Sequence, residues 1–335
     1  MKKLLLGIVV VFGLLSGVYF MGPSVSFPEI DPRVELVDIP LEELDAYIES
    51  TERLVAGIKP DNQSRIVWAD SARQTDYAIV YLHGFSASPM ESNPVHIEMA
   101  QKFGFNIYLP RLSQHGLEDI DAFKDLTPSS LVESAKEALA VGQLLGKKVI
   151  LMSCSTGGTL SIYLSAYNPD LVDAQILFSP NIEIADPTAA LITGPWGEQI
   201  LGKVIGDYRV IEEGVGTPIE RYWNLRYHTQ GLLALQALLD QTMKPETFEK
   251  IKTPYLLGYY YKNEDEKDDV VSVQAMMAFQ QMTQTPEDFK LESPFSDVDN
   301  HVLASDLQSK DLQSVRNITE YFLEDILKIP PLEEY

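Results

Sequence analysis

The chain has 335 residues, 45% hydrophobic and 22% charged, which is long enough to bury a substantial core and ordinary for a folded globular protein. Its 26 Lys and Arg stand against 49 Asp and Glu, and the net charge of -23 argues against a nucleic-acid backbone or an anionic membrane surface as partner. Solubility is the plain reading of that charge.

Lys2 and Lys3 precede an uncharged run over residues 4–21, which would span about 27 Å as a helix. With acidic residues following (Glu29, Asp31, Glu35), the positive-inside rule orients the rest of the chain out of the cytoplasm. Leu15-Ser16-Gly17 is a poor cleavage site, so residues 1–22 read as an uncleaved membrane anchor, with a cleaved signal peptide as the alternative. No Cys lies near the run, which excludes a lipoprotein anchor.

Residues 23–61 are acidic and carry Pro23, Pro28, Pro32 and Pro40, as a spacer does. Within them Leu41, Leu44, Ile48 and Leu54 fall near helical spacing and predict a short helix that docks on the main domain. From residue 62 onward, strand character alternates with helical spacing. Strands are expected at 65–69, 77–82, 106–109 and 149–152, with helices around Val95, Met99 and Phe103 and from Thr127-Pro128 to Gly146. Nearly all-apolar strands of this kind belong to a parallel sheet covered on both faces. Further strands are expected at 174–179, 255–261 and 289–291. Helices follow over Val271, Met276, Met277 and Phe279, and over Leu312, Val315, Phe322 and Ile326.

The strand at 149–152 runs into Ser153-Cys154-Ser155-Thr156-Gly157-Gly158 and then into an apolar segment of helical spacing. This is the strand–turn–helix context of a nucleophile elbow, with Ser153 where the first Gly of G-x-S-x-G is usual. Small residues flank the nucleophile because its turn is strained and a larger side chain would meet the helix or the strand. A helix N-cap in a glycine turn explains the same residues without chemistry, so the elbow needs a base and an acid elsewhere in the chain. Cys154, the one cysteine, reads as a small buried hydrophobe.

Serine needs a neighbouring base to take its proton, and imidazole suits the task. Of five histidines, His83 ends a strand in Leu82-His83-Gly84-Phe85 and shapes the turn whose next amide, that of Phe85, points at the elbow. His96 falls on a helix, His115 in a loop and His228 between strands. His301, in Asp299-Asn300-His301-Val302 after the last strand, is where a base that reaches the elbow belongs. The acid that orients it lies in the loop after Tyr261, where Asp268 precedes Val270-Val271 and a helix; Asp265 and Asp269 are alternatives. The order is then serine, acid, histidine, each after a different strand.

These residues give the chain a resemblance to the α/β-hydrolase superfamily, in particular the branch of monoglyceride lipases, lysophospholipases and simple carboxylesterases. It rests on Leu82-His83-Gly84-Phe85, the elbow, the Asp268 to Ser272 segment, Asn300-His301-Val302, and the run from Pro110 to Gly116. The resemblance implies an α/β-hydrolase fold. It also implies Ser155 as nucleophile, His301 as base, Asp268 as acid, and the amides of Phe85 and Thr156 as the oxyanion hole. The core is then expected over 62–184 and 251–335, with a helical cap at 185–250 inserted after the strand at 174–179. Trp196, Tyr208, Tyr222, Trp223 and Tyr227 lie in that cap, and either line an acyl pocket or pack it.

The expected activity is hydrolysis of carboxylic esters of a small or lipid-like kind, with no cofactor and no metal. HExxH is absent, and no phosphate-cradling glycine loop follows a strand. An aminopeptidase-type serine peptidase on the same fold, and a catalytically silent binding protein, are the competing expectations.

Overall fold

The computed structural model describes residues 16–333. Helix α1 (Leu41–Glu52) buries Leu44 and Ile48. There follow strands β1 (Arg65–Val67) and β2 (Thr75–Leu82), helix α2 (Val95–Phe103), strand β3 (Asn106–Leu109) and helix α3 (Pro128–Leu145). Next come β4 (Gly146–Cys154), α4 (Thr156–Tyr167) and β5 (Ala174–Phe178). Between β5 and the next strand of the sheet lie helix α5 (Gly197–Val204), the short strands β6 (Tyr208–Val210) and β7 (Arg226–His228), and helices α6 (Gln230–Thr242) and α7 (Pro245–Phe248). The chain closes with β8 (Tyr255–Tyr260), α8 (Val273–Met282), β9 (Lys290–Phe295) and α9 (Leu312–Tyr321).

Seven strands form one sheet in the order β1-β3-β2-β4-β5-β8-β9, parallel throughout except for β1, which pairs antiparallel with β3 at the edge. Period-two alternation sends each strand's side chains into two different cores. From β2, Ile79 and Tyr81 enter one core with residues of α2 and α9, while Ala78, Val80 and Leu82 enter the other with residues of α3 and α4. Strand β4 divides in the same way, Ile150 and Met152 against Val149 and Leu151. Burial on both faces is why these strands read as continuous apolar runs.

Three expectations are corrected. The insertion after β5 is not purely helical, since β6 and β7 pair as an antiparallel ribbon. Strand β9 runs four residues further than the sequence suggests, over a stretch containing Glu292, Ser293 and Pro294, which an edge strand tolerates. The stretch that reads as a spacer is packed on the core: Asn168 donates to the Pro32 carbonyl at 2.8 Å and accepts from Val34 N–H, and Ile30 is buried. Most of the apolar run 4–21 lies outside the described residues; its end, 16–20, is helical, and among the described residues no helix is long and apolar enough to cross a membrane.

Candidate active site

Parallel strands bring their carboxyl ends to one edge of a sheet, and side chains placed just beyond them converge there. Strand β2 ends at Leu82, immediately before His83-Gly84-Phe85; β4 ends at Cys154, before Ser155; β8 and β9 lead into the loops that hold Asp268 and His301.

Ser155 sits at φ 52° and ψ -119°, a conformation that costs a non-glycine residue about 1–3 kcal/mol. The surroundings hold it there. Its N–H donates to Phe178 of β5 at 3.0 Å, and its carbonyl accepts from Gly158 and Asn181 at 2.8 and 2.9 Å. The flanking glycines are required by contact with backbone: a Cβ on Gly157 would lie 1.8 Å from the Leu82 carbonyl oxygen, and one on Gly158 would lie 2.8 Å from Pro180 Cα. Ser153 fits where Gly is usual because its hydroxyl turns to the Ile176 carbonyl at 3.3 Å. The positive end of buried helix α4 begins at Thr156, directly behind the serine.

His301 Nδ1 lies 2.7 Å from Asp268 Oδ2, and the other carboxylate oxygen accepts the N–H groups of Val270 and Val271 at 3.0 and 3.1 Å. The side chain of Asp268 is fully buried, whereas Asp265 and Asp269 are exposed. The structure therefore brings His301 to Asp268 and to neither alternative. Burial works against both charged forms, but each partner's charge outweighs it: the Asp268 pKa is lowered and that of His301 is raised above 6.5. His301 Nε2 is buried and has no hydrogen-bond partner among the described residues. An imidazole held at one nitrogen and open at the other is arranged to exchange a proton.

The other histidines have structural work. His83 Nδ1 donates to the Gly84 carbonyl at 2.9 Å and its Nε2 accepts Leu112 N–H at 3.0 Å, so the ring shapes the turn. His115 Nδ1 bonds the Ser113 carbonyl, and its ring meets those of Phe85 and His83 edge-on and that of Phe123 at a tilt. Burial pushes His96 and His115 down to about 4. Neither the Phe85 nor the Thr156 amide donates to another group among the described residues.

The segment over the sheet edge is tied to these loops by Asn224. Its N–H donates to the Ser86 carbonyl at 2.7 Å, its side chain donates to the Leu117 carbonyl at 2.8 Å, and its Oδ1 accepts Gly116 N–H at 3.2 Å. Tyr227, with ring centroids 5.3 Å from Phe85 and 5.4 Å from Phe123, meets the aromatic group beside the turn. Trp223 instead packs in the core, Tyr222 bonds Asp61, and Trp196 lies against the chain at Val18 and Pro23. Nothing in the sequence marks Asn224 or buried Glu91, whose Oε2 accepts Gly84 N–H at 2.8 Å. A polar residue in a loop or an irregular insertion carries no periodicity that marks it.

Among the described residues no cluster of His, Cys, Asp and Glu is arranged to hold a metal ion.

Comparison with known proteins agrees with this architecture. The thermostable monoacylglycerol lipase of Bacillus sp. (strain H-257) is 30% identical over 93 residues, a match spanning 28% of this chain and 36% of that enzyme. Among solved structures, one reported for the metagenome-derived lipolytic enzymes LipS and LipT superposes with a TM-score of 0.65 at 14% identity, over 80% of this chain and 99% of that one. The monoacylglycerol lipase of Paleococcus ferrophilus superposes with a TM-score of 0.56 at 14% identity, over 78% and 98%. Residues 79–302 match the model of the Alpha/beta hydrolase family, and the chain belongs to that family.

Proposed function

We propose that the protein is a serine hydrolase that cleaves carboxylic esters by acyl transfer. The observation that carries this reading is the buried His301, bonded to Asp268 through Nδ1 and open at Nε2, at the same sheet edge as the strained Ser155.

In this reading His301 Nε2 takes the Ser155 hydroxyl proton as Oγ attacks the ester carbonyl. The oxyanion that forms is met by the amides of Phe85 and Thr156 and by the positive end of α4. The alcohol leaves with the proton returned by His301, giving an acyl-enzyme. Water, deprotonated by the same imidazole, then adds to the acyl carbon, and collapse releases the acid and restores the Ser155 hydroxyl. Asp268 stays ionised throughout, fixes the tautomer and stabilises the imidazolium.

The match to a Bacillus monoacylglycerol lipase supports a lipid-like ester as substrate class. Residues 185–250, a cap over the core in this reading, choose among such esters, with Phe85, Phe123 and Tyr227 as the apolar wall nearest the oxyanion turn. The N-terminal run 4–21 anchors the domain outside the cytoplasm; membrane fractionation of the full chain against one lacking residues 1–22 tests that, and identical partitioning would contradict it.

The test of the activity is turnover across p-nitrophenyl esters of rising chain length and a matched set of aminoacyl amides, for the parent and for Ser155→Ala. Ester turnover that vanishes in the variant is the expected result. Equal turnover in both would overturn it, and amide turnover rivalling ester turnover would move the reading to a peptidase.

A further inference from the structure

Among the described residues, the ester-hydrolase reading leaves one buried acid unused. Glu91 lies in the loop beyond the Leu82 to Phe85 turn and is 2% exposed, yet no lysine or arginine pairs with it among the described residues. Isolated charges are seldom taken out of water without compensation.

What Glu91 has instead is a set of donors. Its Oε2 accepts the Tyr81 hydroxyl at 2.7 Å and the Gly84 N–H at 2.8 Å, and the Tyr81 hydroxyl is itself 2.6 Å from Ser92 Oγ. The Cys154 thiol is a third hydrogen-bond partner of the carboxyl. A Cβ on Gly84 would lie 2.8 Å from Oε1 and 3.1 Å from Ser155 Cβ, so the carboxyl and the serine border the same face of this glycine. Gly84 is therefore held by the acid through its N–H and closed in by the acid and the elbow together, with Phe85, the residue that carries the proposed oxyanion amide, next in the chain.

We infer that Glu91 is a positioning residue of the Ser155 site, holding the Gly84–Phe85 turn through Oε2 and setting a second carboxyl, besides Asp268, in the field of His301. This rests on the ester-hydrolase reading only for its consequence in catalysis.

The groups that face Glu91 come from every element around it. Tyr81 comes from β2 and His83 from the turn. His96, its ring 4.8 Å from that of Tyr81, belongs to α2, and Cys154 ends β4. His301 lies in the loop after β9, with Asp268 and Asp269 beyond it. Burial keeps His83 and His96 neutral and pushes the Tyr81 and Cys154 protons to higher pH, so among the described residues His301 is the cation that Glu91 meets. Burial pushes Glu91 itself up to about 7, against the pull of the Tyr81 and Gly84 donors.

Since Oε2 already accepts two hydrogen bonds, a proton taken up by Glu91 goes to Oε1. The tie to Gly84 survives protonation, and the charge in the field of His301 does not. The two roles can thus be separated by substitution. Glu91→Gln keeps an oxygen for Tyr81 and Gly84 and removes the charge; Glu91→Ala removes both.

The test follows the imidazole resonances of the full chain by NMR against pH, assigning His301 by its loss in His301→Ala. In Glu91→Gln the His301 midpoint moves to lower pH by about half a unit or more, because an anion that favours the imidazolium is gone. In ester turnover, Glu91→Ala lowers kcat at least tenfold with little change in KM, and Glu91→Gln recovers most of it. A His301 titration in Glu91→Gln that superimposes on the parent overturns the electrostatic role, and Glu91→Gln as poor in kcat as Glu91→Ala overturns the tie. If Glu91→Ala does not fold, the NMR titration of Glu91→Gln decides alone. Failure of the hydrolase reading shows separately, as full ester turnover in Ser155→Ala.

Discussion

His301 Nδ1 lies 2.7 Å from Asp268 Oδ2 although 33 positions separate the two residues in the chain. Three aspartates lie in that loop, and what distinguishes Asp268 is its backbone: its N–H donates to the Tyr260 carbonyl, and the Val270 and Val271 amides hold Oδ1. The carboxylate is oriented before the imidazole arrives.

Asp268→Asn should therefore lower ester kcat by about four orders of magnitude, because the amide favours the wrong tautomer while filling the same space. The folded state should survive, as read by an unchanged far-UV circular dichroism spectrum. Asp265→Asn and Asp269→Asn, at exposed positions, should turn over at the parent rate; a loss in either comparable to that of Asp268→Asn would reassign the acid.

The pH dependence follows from the same pair. The Asp268 charge lifts His301 above 6.5 in spite of burial, with Glu91 and Asp269 adding to it, so turnover should fall on acidification through a midpoint above 6.5. Asp268, lowered in the fold, stays ionised across that limb. In stability the signs are opposite. The raised His301 stabilises the fold below 6.5 and that contribution is lost as pH rises through its folded value. The lowered Asp268 stabilises it above the carboxylate range, a contribution lost as pH falls through its folded value. A log kcat/KM profile with its acid midpoint at or below 6.5 would contradict the arrangement.

The elbow makes a paired prediction. Gly157→Ala forces a Cβ to within 1.8 Å of the Leu82 carbonyl oxygen, which is sheet backbone, and should abolish turnover and lower the melting temperature. Ser153→Gly gives up only a 3.3 Å hydrogen bond to Ile176 and should cost about 1 kcal/mol or less in urea denaturation while keeping turnover within a few-fold. Reversed outcomes would mean that the elbow is held by other contacts.

Asn224 should matter for substrate capture more than for chemistry. Asn224→Ala leaves the Gly116 N–H and the Leu117 carbonyl without their partner and should destabilise the fold by about 2 kcal/mol. Loosening the segment over the site should raise KM more than it lowers kcat. An unchanged KM in steady-state kinetics would separate Asn224 from substrate binding.

Much of this was legible in the sequence because the governing forces act locally. Apolar runs marked β2, β3, β4, β5 and β8, and the small residues around Ser155 record backbone contacts that exclude a side chain. The ribbon β6/β7 was not legible: three residues per strand with Arg209 and Arg226 among them leave no alternation to read. The end of β9 was hidden by polar residues that an edge strand accepts, and the packing of residues 30–34 by a contact with Asn168 more than 130 positions away. Asp268 was marked by the Val270-Val271 that follow it and supply its amide donors, whereas Glu91 was hidden because its burial depends on how β2, α2 and the elbow pack around it, which a single sequence does not display.

The most direct measurement is peptide mapping of the protein after reaction with a fluorophosphonate. The account predicts a single covalent adduct on Ser155, absent from Ser155→Ala and strongly slowed in His301→Ala and Asp268→Asn. An adduct on another residue, or labelling of Ser155→Ala at the parent rate, would contradict it.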